Sequence, residues 1–301
     1  PVVDRGITNA IGFRKNEINI NTAQLTASVD SSWYRARTTL AYGTIPRQSW
    51  TSYYFPLQEA NAGIKLMDNL WLDSGVFLTH VGGEALLPKN NWLSSLALTT
   101  MYEPFYQTGV KLSYKPVDQV EGQLHLLNGY GLFDDNNADK TLGWLLSYSP
   151  NSMLSVSWNG TVGNEQPAGS PAAVRLYNDV NFSFQPMEAL GFRGEFDFAT
   201  EAGKANPYMS GLLTAKYAFN SKCSLSARGE YINDPSKIVS VGLSGFGGTL
   251  GAEYKPTDNS YIRLEGRQLM LSGADSMIFT GADKKATGSR LEGMLSVGTW
   301  F

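Results

Sequence analysis

Hydrophobic and polar side chains alternate over many stretches of the chain. Between residues 188 and 199 the apolar set is Leu190, Phe192, Phe196 and Phe198, and the charged set is Arg193, Glu195 and Asp197. A period of two is typical of β-strands that have one apolar and one polar face. At helical spacing the same charges would spread around the whole circumference, so the pattern predicts strands.

The alternation recurs often enough to predict fifteen strands. They cover residues 20–29, 33–43, 59–67, 70–80, 106–115, 119–129, 140–149, 152–162, 173–185, 188–199, 207–219, 222–232, 247–255, 259–269 and 288–301. Short connections between them alternate with longer ones. This asymmetry is typical of bacterial outer-membrane barrels, which have short turns on one side and long loops on the other.

A repeat in the short turns supports the same architecture. Four turns place an aromatic residue two positions before a proline, at Pro116, Pro150, Pro186 and Pro256. The missing copy falls at residues 216–220, where a phenylalanine replaces the proline. The repeat of about 35 residues fits two strands of about 10 residues tilted across a bilayer, with one tight turn and one longer loop.

Aromatic residues beside the short turns predict a girdle at the membrane interface, which a soluble β-sandwich does not need. The predicted girdle comprises Tyr114, Tyr148, Phe184, Tyr217, Tyr254 and Phe301. In hydrocarbon the edge amides of an open sheet would lack partners, at a cost of several kcal/mol each, so the sheet has to close. We therefore predict an all-β fold, a transmembrane, antiparallel up-and-down β-barrel of about 16 strands, within a range of 14–16.

The whole chain, residues 1–301, is expected to form this single barrel domain. Bacterial single-chain barrels have an even number of strands, whereas the pattern gives fifteen. The sixteenth strand is expected within residues 1–12 or upstream of Pro1. No basic, apolar leader follows Pro1, as expected if a secretion signal is absent or already removed.

The composition narrows the chemistry that is open to the protein. Charged residues make up only 17% of the chain, and 24 basic against 27 acidic residues give a net charge of −3. We therefore expect no nucleic-acid partner, and no apolar run approaches the roughly 18 residues of a membrane-spanning helix. One cysteine and two histidines leave little for metal ligands or acid–base catalysis. We expect no metal, no cofactor and no enzymatic activity.

The two histidines and one acidic loop were the candidates for other chemistry. His125 has the parity of the lumen-facing positions, whereas an outer-membrane lipase would need its nucleophile–histidine pair at the lipid face. His80 is expected to be an ordinary interface residue at the start of a long loop. Residues 134–139 are rich in Asp and Asn but lack the spacing and the glycine of a calcium loop, so a solvated surface loop is favoured.

The longest stretch between predicted strands covers residues 81–105, with a short helix predicted at 91–102. Connections of this length are usually functional or disordered. One hypothesis is that this stretch folds into the lumen and narrows the pore, and the other is an extracellular flap packed on neighbouring loops. The candidate constriction residues are Glu84, Lys89, Trp92 and Glu103.

Charged residues of inward parity recur on successive strands and are predicted to line the pore. The basic ones are Arg35, Arg37, Arg175, Arg193, Arg228, Arg263, Arg267 and Arg290, and the acidic ones are Asp179, Glu195, Asp197, Glu230, Glu265 and Glu292. Two interpretations stay open. Ladders of charge set ion selectivity, with a weak anion preference where arginines outnumber acids at the narrowest point, or the charges form salt bridges that stiffen the wall.

Several motifs carry a resemblance to a known family. They are His125-Leu-Leu-Asn-Gly-Tyr130, Asp134-Asp-Asn-Asn137, Asn159-Gly-Thr-Val-Gly-Asn-Glu165, Glu103-Pro-Phe-Tyr-Gln-Thr-Gly109 and Gly82-Gly-Glu84. The chain resembles the OmpL-like family of β-barrel porins over roughly residues 13–301, although a first Tyr-rich strand of the family pattern is missing. The resemblance implies passive diffusion through the outer membrane and names no substrate. It also implies that the terminal Phe301 is a signal to the barrel-assembly machinery.

These observations predict a porin-like channel in the outer membrane of a Gram-negative bacterium. It would contact outer-membrane lipid, pass small polar solutes or ions by passive diffusion, and exist as a monomer or a homo-oligomer. An alternative is a barrel that acts as an adhesin or scaffold through its extracellular loops, with little or no conductance. A third interpretation is a soluble all-β binding protein, which would stay in solution without detergent.

Overall fold

A single antiparallel sheet of fifteen strands dominates the computed structural model, which describes residues 17–51, 53–272, 278–281 and 285–301. Its strands are β1 (Ala23–Asp30), β2 (Tyr34–Tyr42), β3 (Leu57–Met67), β4 (Leu70–Leu78), β5 (Tyr106–Val117), β6 (Val120–Leu127), β7 (Thr141–Asn151), β8 (Leu154–Asn164), β9 (Val174–Met187), β10 (Leu190–Glu201), β11 (Tyr208–Ala218), β12 (Cys223–Asn233), β13 (Ser244–Tyr254), β14 (Ser260–Leu271) and β17 (Ser289–Thr299). Each strand pairs with its neighbour in the chain. The predicted all-β, up-and-down topology is confirmed.

All fifteen predicted strands are present, with ends that move by a few residues. Strands β1 and β17 are the two edges, and no ladder joins them within the described residues. The sixteenth strand predicted within residues 1–12 lies outside the described residues. A separate two-residue ladder, β15 (Phe279–Thr280) with β16 (Ala286–Thr287), was not predicted from the alternation.

Helical structure is scarce. One short helix, α1 (Thr44–Ser49), and two 3-10 turns at Pro88–Asn90 and Thr100–Tyr102 occur in the described residues. The helix predicted at 91–102 is therefore wrong, for a reason given below. No described helix has the length and apolar content to cross a membrane.

The two faces of the sheet differ in the way that the alternation predicts. In β12, Leu225 and Tyr231 are exposed, whereas the intervening Ser226, Arg228 and Glu230 are buried. Exposed apolar side chains recur on strands from β1 to β17, including Leu176, Val180, Phe182, Phe184 and Phe196. No second layer covers these side chains in the described structure, so the convex face is apolar and uncovered, as the prediction of a membrane barrel requires.

The short turns all lie at one end of the sheet. They are residues 31–33, 68–69, 118–119, 152–153, 188–189, 219–222 and 255–259, and the longer connections lie at the opposite end. The aromatic residues predicted as a girdle are all exposed: Tyr114, Tyr148, Phe184, Tyr217, Tyr254 and Phe301. Because Thr299 pairs with Ser260, the chain end at Phe301 also lies at the short-turn end.

The buried core lies on the concave side of the sheet. One cluster joins Val81 and Leu98 to inward side chains of β9–β14, such as Tyr177 and Ile232. A second cluster joins Leu86, Leu96 and Met101 to Ile45 and to partly buried side chains that include Met294. Residues from both ends of the sheet thus pack on one internal segment, and the sheet curls around it.

Candidate functional site: the lumen and its inserted segment

The segment between β4 and β5, residues 79–105, lies inside the curled sheet and is called the inserted segment below. Its side chains Leu93, Leu96 and Leu98 are at most 2% exposed. Residues in this segment contact inward side chains of β10, β12 and β14 in addition to neighbouring connections. The segment therefore occupies the space that the wall encloses.

Wall carboxylates hold the backbone of the inserted segment. The amides of Ser94 and Ser95 donate to the Glu265 carboxylate, the latter at 3.1 Å. The Leu98 amide donates to Glu230 Oε2 at 2.5 Å. These amides would bond to carbonyls four residues earlier in an α-helix, so their use by the wall explains why residues 91–102 are not helical.

Two arginines on the wall complete this attachment. Arg228 is buried and donates through Nη1 to the Ser95 carbonyl at 2.7 Å and to Glu84 Oε1 at 2.8 Å. Arg263 donates to the Pro88 carbonyl at 2.8 Å and to the Asn91 carbonyl at 2.7 Å. Hydrogen bonds that involve a charged group are stronger than neutral ones, so the segment is fixed along its length.

All the arginines predicted to line the lumen face inward, and all except Arg193 form ion pairs. The pairs are Arg35–Asp73 at 2.5 Å, Arg37–Glu59 at 3.0 Å, Arg175–Glu201 at 2.7 Å, Arg228–Glu84 at 2.8 Å, Arg263–Glu253 at 2.7 Å, Arg267–Glu230 at 2.9 Å and Arg290–Glu292 at 2.7 Å. In the described part of the chain, Arg193 has no carboxylate partner. The net charge along the lumen is therefore far smaller than the number of arginines suggests.

Arg193 contacts the inserted segment instead. Its guanidinium carbon lies 4.4 Å from the centre of the Trp92 ring, and Nη1 donates to the Asn90 carbonyl at 3.1 Å. Trp92 is only partly buried. Lys89 is exposed, with its ammonium 5.7 Å from the Trp300 ring centre, so Lys89 is the most accessible of the predicted constriction residues.

Two cavities meet at Trp92. The first, of about 300 Å³, lies between the inserted segment and β8–β11, and its polar lining includes Asn91, Asn181, Ser183 and Arg193. The second, of about 520 Å³, opens towards the short-turn end, where Lys216, Lys222 and Glu253 line it. Trp92 lines both cavities, so its indole stands between them.

Glu84 and Glu103 have different surroundings, although both were predicted as constriction residues. Glu84 accepts hydrogen bonds from the Ala97 amide at 2.7 Å and the Thr100 hydroxyl at 2.9 Å and pairs with Arg228. Glu103 is buried against Glu195 and Asp197. Burial and the neighbouring carboxylates raise the pKa of Glu103 well above its ordinary value, since both penalise its ionised form.

His80, at the start of the inserted segment, stacks on His125 of β6, with ring centres 3.9 Å apart. His80 Nε2 lies 3.0 Å from the Gly160 carbonyl, so this nitrogen carries the proton. Burial lowers the pKa of His80 to about 4, and the positive charge of Lys111 also lowers it against the effect of this hydrogen bond. His125 faces the lumen, where its Nε2 is 3.0 Å from Gln123 Oε1. The neutral pair packs the wall.

Residues 134–139 lie among the connections at the long-loop end, where Asp135 pairs with Lys140 and Tyr54 donates to Asp134 at 2.6 Å.

A sequence comparison then decides the class of protein. Residues 4–301 match the family described as "Putative beta-barrel porin-2, OmpL-like". The chain belongs to this family. It is an outer-membrane barrel of the porin type, and among curated proteins no sequence matches it.

Solved structures of outer-membrane proteins resemble this porin in fold. An anion-selective porin from Comamonas acidovorans is 11% identical, with a TM-score of 0.64 over 93% of this chain and 89% of the other. The outer-membrane channel DcaP of Acinetobacter baumannii is 9% identical, with a TM-score of 0.62 over 93% and 84%. A trimer form of Vibrio cholerae OmpT is 15% identical, with a TM-score of 0.59 over 93% and 91%.

The sequence analysis missed the acidic partners of several lumen arginines in this porin. These partners are Glu59, Asp73, Glu201 and Glu253, which are buried and face inward. Lys111 was also not predicted as a lumen residue, and its ammonium lies 4.9 Å from the Phe77 ring centre. The alternation contained a signal for them. Asp73, for example, has the parity opposite to Leu70, Leu72 and Val76, and β4 keeps its register with β3 and β5 through Gly75.

Proposed function

We propose that this porin lets small polar solutes diffuse passively between the inserted segment and the wall formed by β8–β13. The observation that carries the proposal is the pair of cavities that meet at Trp92. Their polar lining of Asn, Ser and charged side chains suits hydrated solutes, since such groups can replace part of a solute's hydration. No reaction and no cofactor is needed for this function.

In this proposal the inserted segment is the constriction. Trp92 lines both cavities, and Glu84 lines the first, where it also pairs with Arg228 to hold the segment in place. The paired lumen charges keep the wall rigid and leave little net field. The arginines in ion pairs then stiffen the wall, and Arg193, which has no carboxylate partner in the described residues, is left to influence ion selectivity.

Passive diffusion is tested by reconstituting the porin in liposomes and measuring swelling in isotonic solutions of neutral sugars of rising size. We expect fast swelling with small sugars and a progressive loss of rate with larger ones, because passage is limited by width and not by recognition. Empty liposomes supply the baseline. A barrel that gives the baseline rate with every sugar, although folded, would favour the adhesin or scaffold function instead.

Arg193 is expected to give the channel a weak anion preference, because it faces the first cavity and has no carboxylate partner in the described residues. Replacing it in Arg193→Gln should move the zero-current potential in a salt gradient towards zero or towards cation preference. Arg193→Lys is the matched control and should keep the sign, since it keeps the charge. Equal potentials for the wild type and Arg193→Gln would contradict this role.

The partners follow from the same proposal. The exposed apolar face contacts outer-membrane lipid, with the six girdle residues at the short-turn end. Phe301 presents an exposed terminal aromatic ring to the barrel-assembly machinery. A homo-oligomer is proposed because a trimer form exists for the structurally similar OmpT.

A further inference from the structure

We infer that Glu103, Glu195 and Asp197 bind a calcium ion that fastens the end of the inserted segment to the wall. Each residue offers a carboxylate oxygen, and these oxygens all lie within 4.8 Å of one another. Glu103 belongs to the inserted segment, three residues before the start of β5, whereas Glu195 and Asp197 belong to β10. An ion at this place would link two parts of the chain that are remote in sequence.

A fourth side chain points independently to a ligand. Asp179 on β9 lies directly opposite Asp197 in the ladder, and its carboxyl group contacts that of Asp197. Asp179 is 0% exposed, and its Oδ2 has no hydrogen-bond partner. Buried polar atoms in proteins nearly always have partners, so an unsatisfied one needs an explanation.

Three other buried atoms near Asp179 are also oxygen acceptors that lack a hydrogen-bond donor. Glu103 Oε1, Glu195 Oε1 and Asn159 Oδ1 are all buried without a hydrogen-bond partner. Asn159 lies opposite Asp179 and donates through Nδ2 to Asp179 Oδ1 at 2.5 Å. Together with Asp179 Oδ2, these are four oxygen acceptors in one small region, and what they share is the need for a positive charge or a proton.

The surrounding protein supplies no such charge. None of the four carboxyl groups forms an ion pair with a described lysine, arginine or histidine, whereas the inward acids Glu59, Asp73, Glu201, Glu230, Glu253 and Glu292 each do. Uncompensated carboxylates in a buried site are costly. Several donors nevertheless support the ionised form: the Tyr177 hydroxyl at 2.8 Å and the Ser210 hydroxyl at 2.7 Å from Asp197, and the Gly83 amide at 2.5 Å from Glu195.

The donor set favours calcium over other ions. All the candidate ligands are carboxylate or amide oxygens, which suit hard cations, and neither sulfur nor imidazole is among them. Calcium accepts six to eight oxygens in flexible geometry, whereas magnesium demands a strict octahedron. Carboxylates from a segment and two strands fit the more tolerant ion.

The backbone next to the cluster is built for close approach. Gly82 has a φ of +92°, and a Cβ atom there would lie 1.9 Å from Glu103 Oε2. Glycine alone therefore lets the start of the inserted segment pass beside the carboxylates. The proposed ion then joins both ends of the segment, near residues 82 and 103, to the same part of the wall.

Terbium luminescence tests the site, because Tb³⁺ replaces Ca²⁺ and is sensitised by nearby tyrosine. The porin is folded in detergent, treated with EDTA and titrated with Tb³⁺ under excitation of tyrosine. We expect saturable luminescence, sensitised by Tyr177, which Ca²⁺ competes away more effectively than Mg²⁺. Glu103→Gln and Glu195→Gln should each weaken Tb³⁺ binding about tenfold or more, since the charge count of the ligands sets the affinity.

Asp134→Asn is the matched control, because Tyr54 donates to this surface carboxylate and could sensitise an ion bound there. The control should keep the signal. Ca²⁺ should also raise the thermal unfolding midpoint of the wild type and not that of folded Glu103→Gln. Loss of the signal in Asp134→Asn alone, no saturable signal in the wild type, or equal affinities in all variants would overturn the site. With any of these outcomes, protons rather than a metal ion neutralise the carboxyl groups of Glu103, Glu195, Asp197 and Asp179. None of these measurements depends on solute passage.

Discussion

Deletion of residues 85–98 is expected to raise the single-channel conductance several-fold. The deleted stretch includes Leu93, Leu96 and Leu98, which fill the enclosed space, and Trp92, which stands between the two cavities. Without it, the wall of the barrel would enclose water, as in porins of about sixteen strands. Planar-bilayer recordings of the wild type and the deletion variant measure the change directly.

A shortened exposed loop supplies the control for this deletion. Residues 167–171 are exposed and lie outside the lumen, so their removal should leave the conductance unchanged. Heat-modifiable migration in gels checks that both variants form barrels. Equal conductance in the wild type and the 85–98 deletion would mean that the inserted segment does not limit the pore.

Replacement of Arg228 by methionine is expected to cost about 3–5 kcal/mol of unfolding free energy, the usual result of removing one member of a buried ion pair. Arg228 is 2% exposed and contacts Glu84 and Ser95 of the inserted segment and Glu230 of its own strand. Methionine keeps much of the volume but leaves the two carboxylates without this partner. Urea unfolding of the folded porin in lipid vesicles gives the free energy.

The matched control is Arg37→Met, at another inward arginine. The Arg37 side chain is 46% exposed and pairs with Glu59 at 3.0 Å, and Glu59 keeps the Thr39 hydroxyl as a donor at 3.0 Å, so the loss should be smaller than for Arg228→Met, whose arginine is fully buried and serves two carboxylates. Adding Glu84→Gln to Arg228→Met should recover part of the loss, because it removes one of the unpaired charges. Similar losses in the two single variants would contradict the special role of Arg228.

The wall could be predicted from the sequence because each strand carries its own signal. In β12, for example, Leu225 and Tyr231 alternate with Ser226, Arg228 and Glu230, and the structure exposes the first set and buries the second. Local alternation fixes which face of a strand is apolar. The strands and the inward position of the arginines followed from it. The girdle and pore roles of these residues remain predictions.

The inserted segment could not be predicted in the same way, since its conformation depends on remote partners. The Ser95 amide bonds to Glu265, 170 positions away, and the Leu98 amide to Glu230, 132 positions away. An analysis of local propensity instead gives a helix at 91–102. The carboxylate cluster is equally non-local, because Glu103 meets Glu195 only when the segment folds inward. The adjacent glycines at 82 and 83 were the one local hint.

The anchoring of the inserted segment by Glu230 and Glu265 has a consequence for the order of folding. Both carboxylates lie on strands that emerge from translation and translocation long after residue 98. The segment therefore finds its place only after β12 and β14 have joined the sheet, so it docks late in biogenesis. Until then Leu93, Leu96 and Leu98 are open to water, and a periplasmic chaperone that shields apolar stretches would find its binding site there.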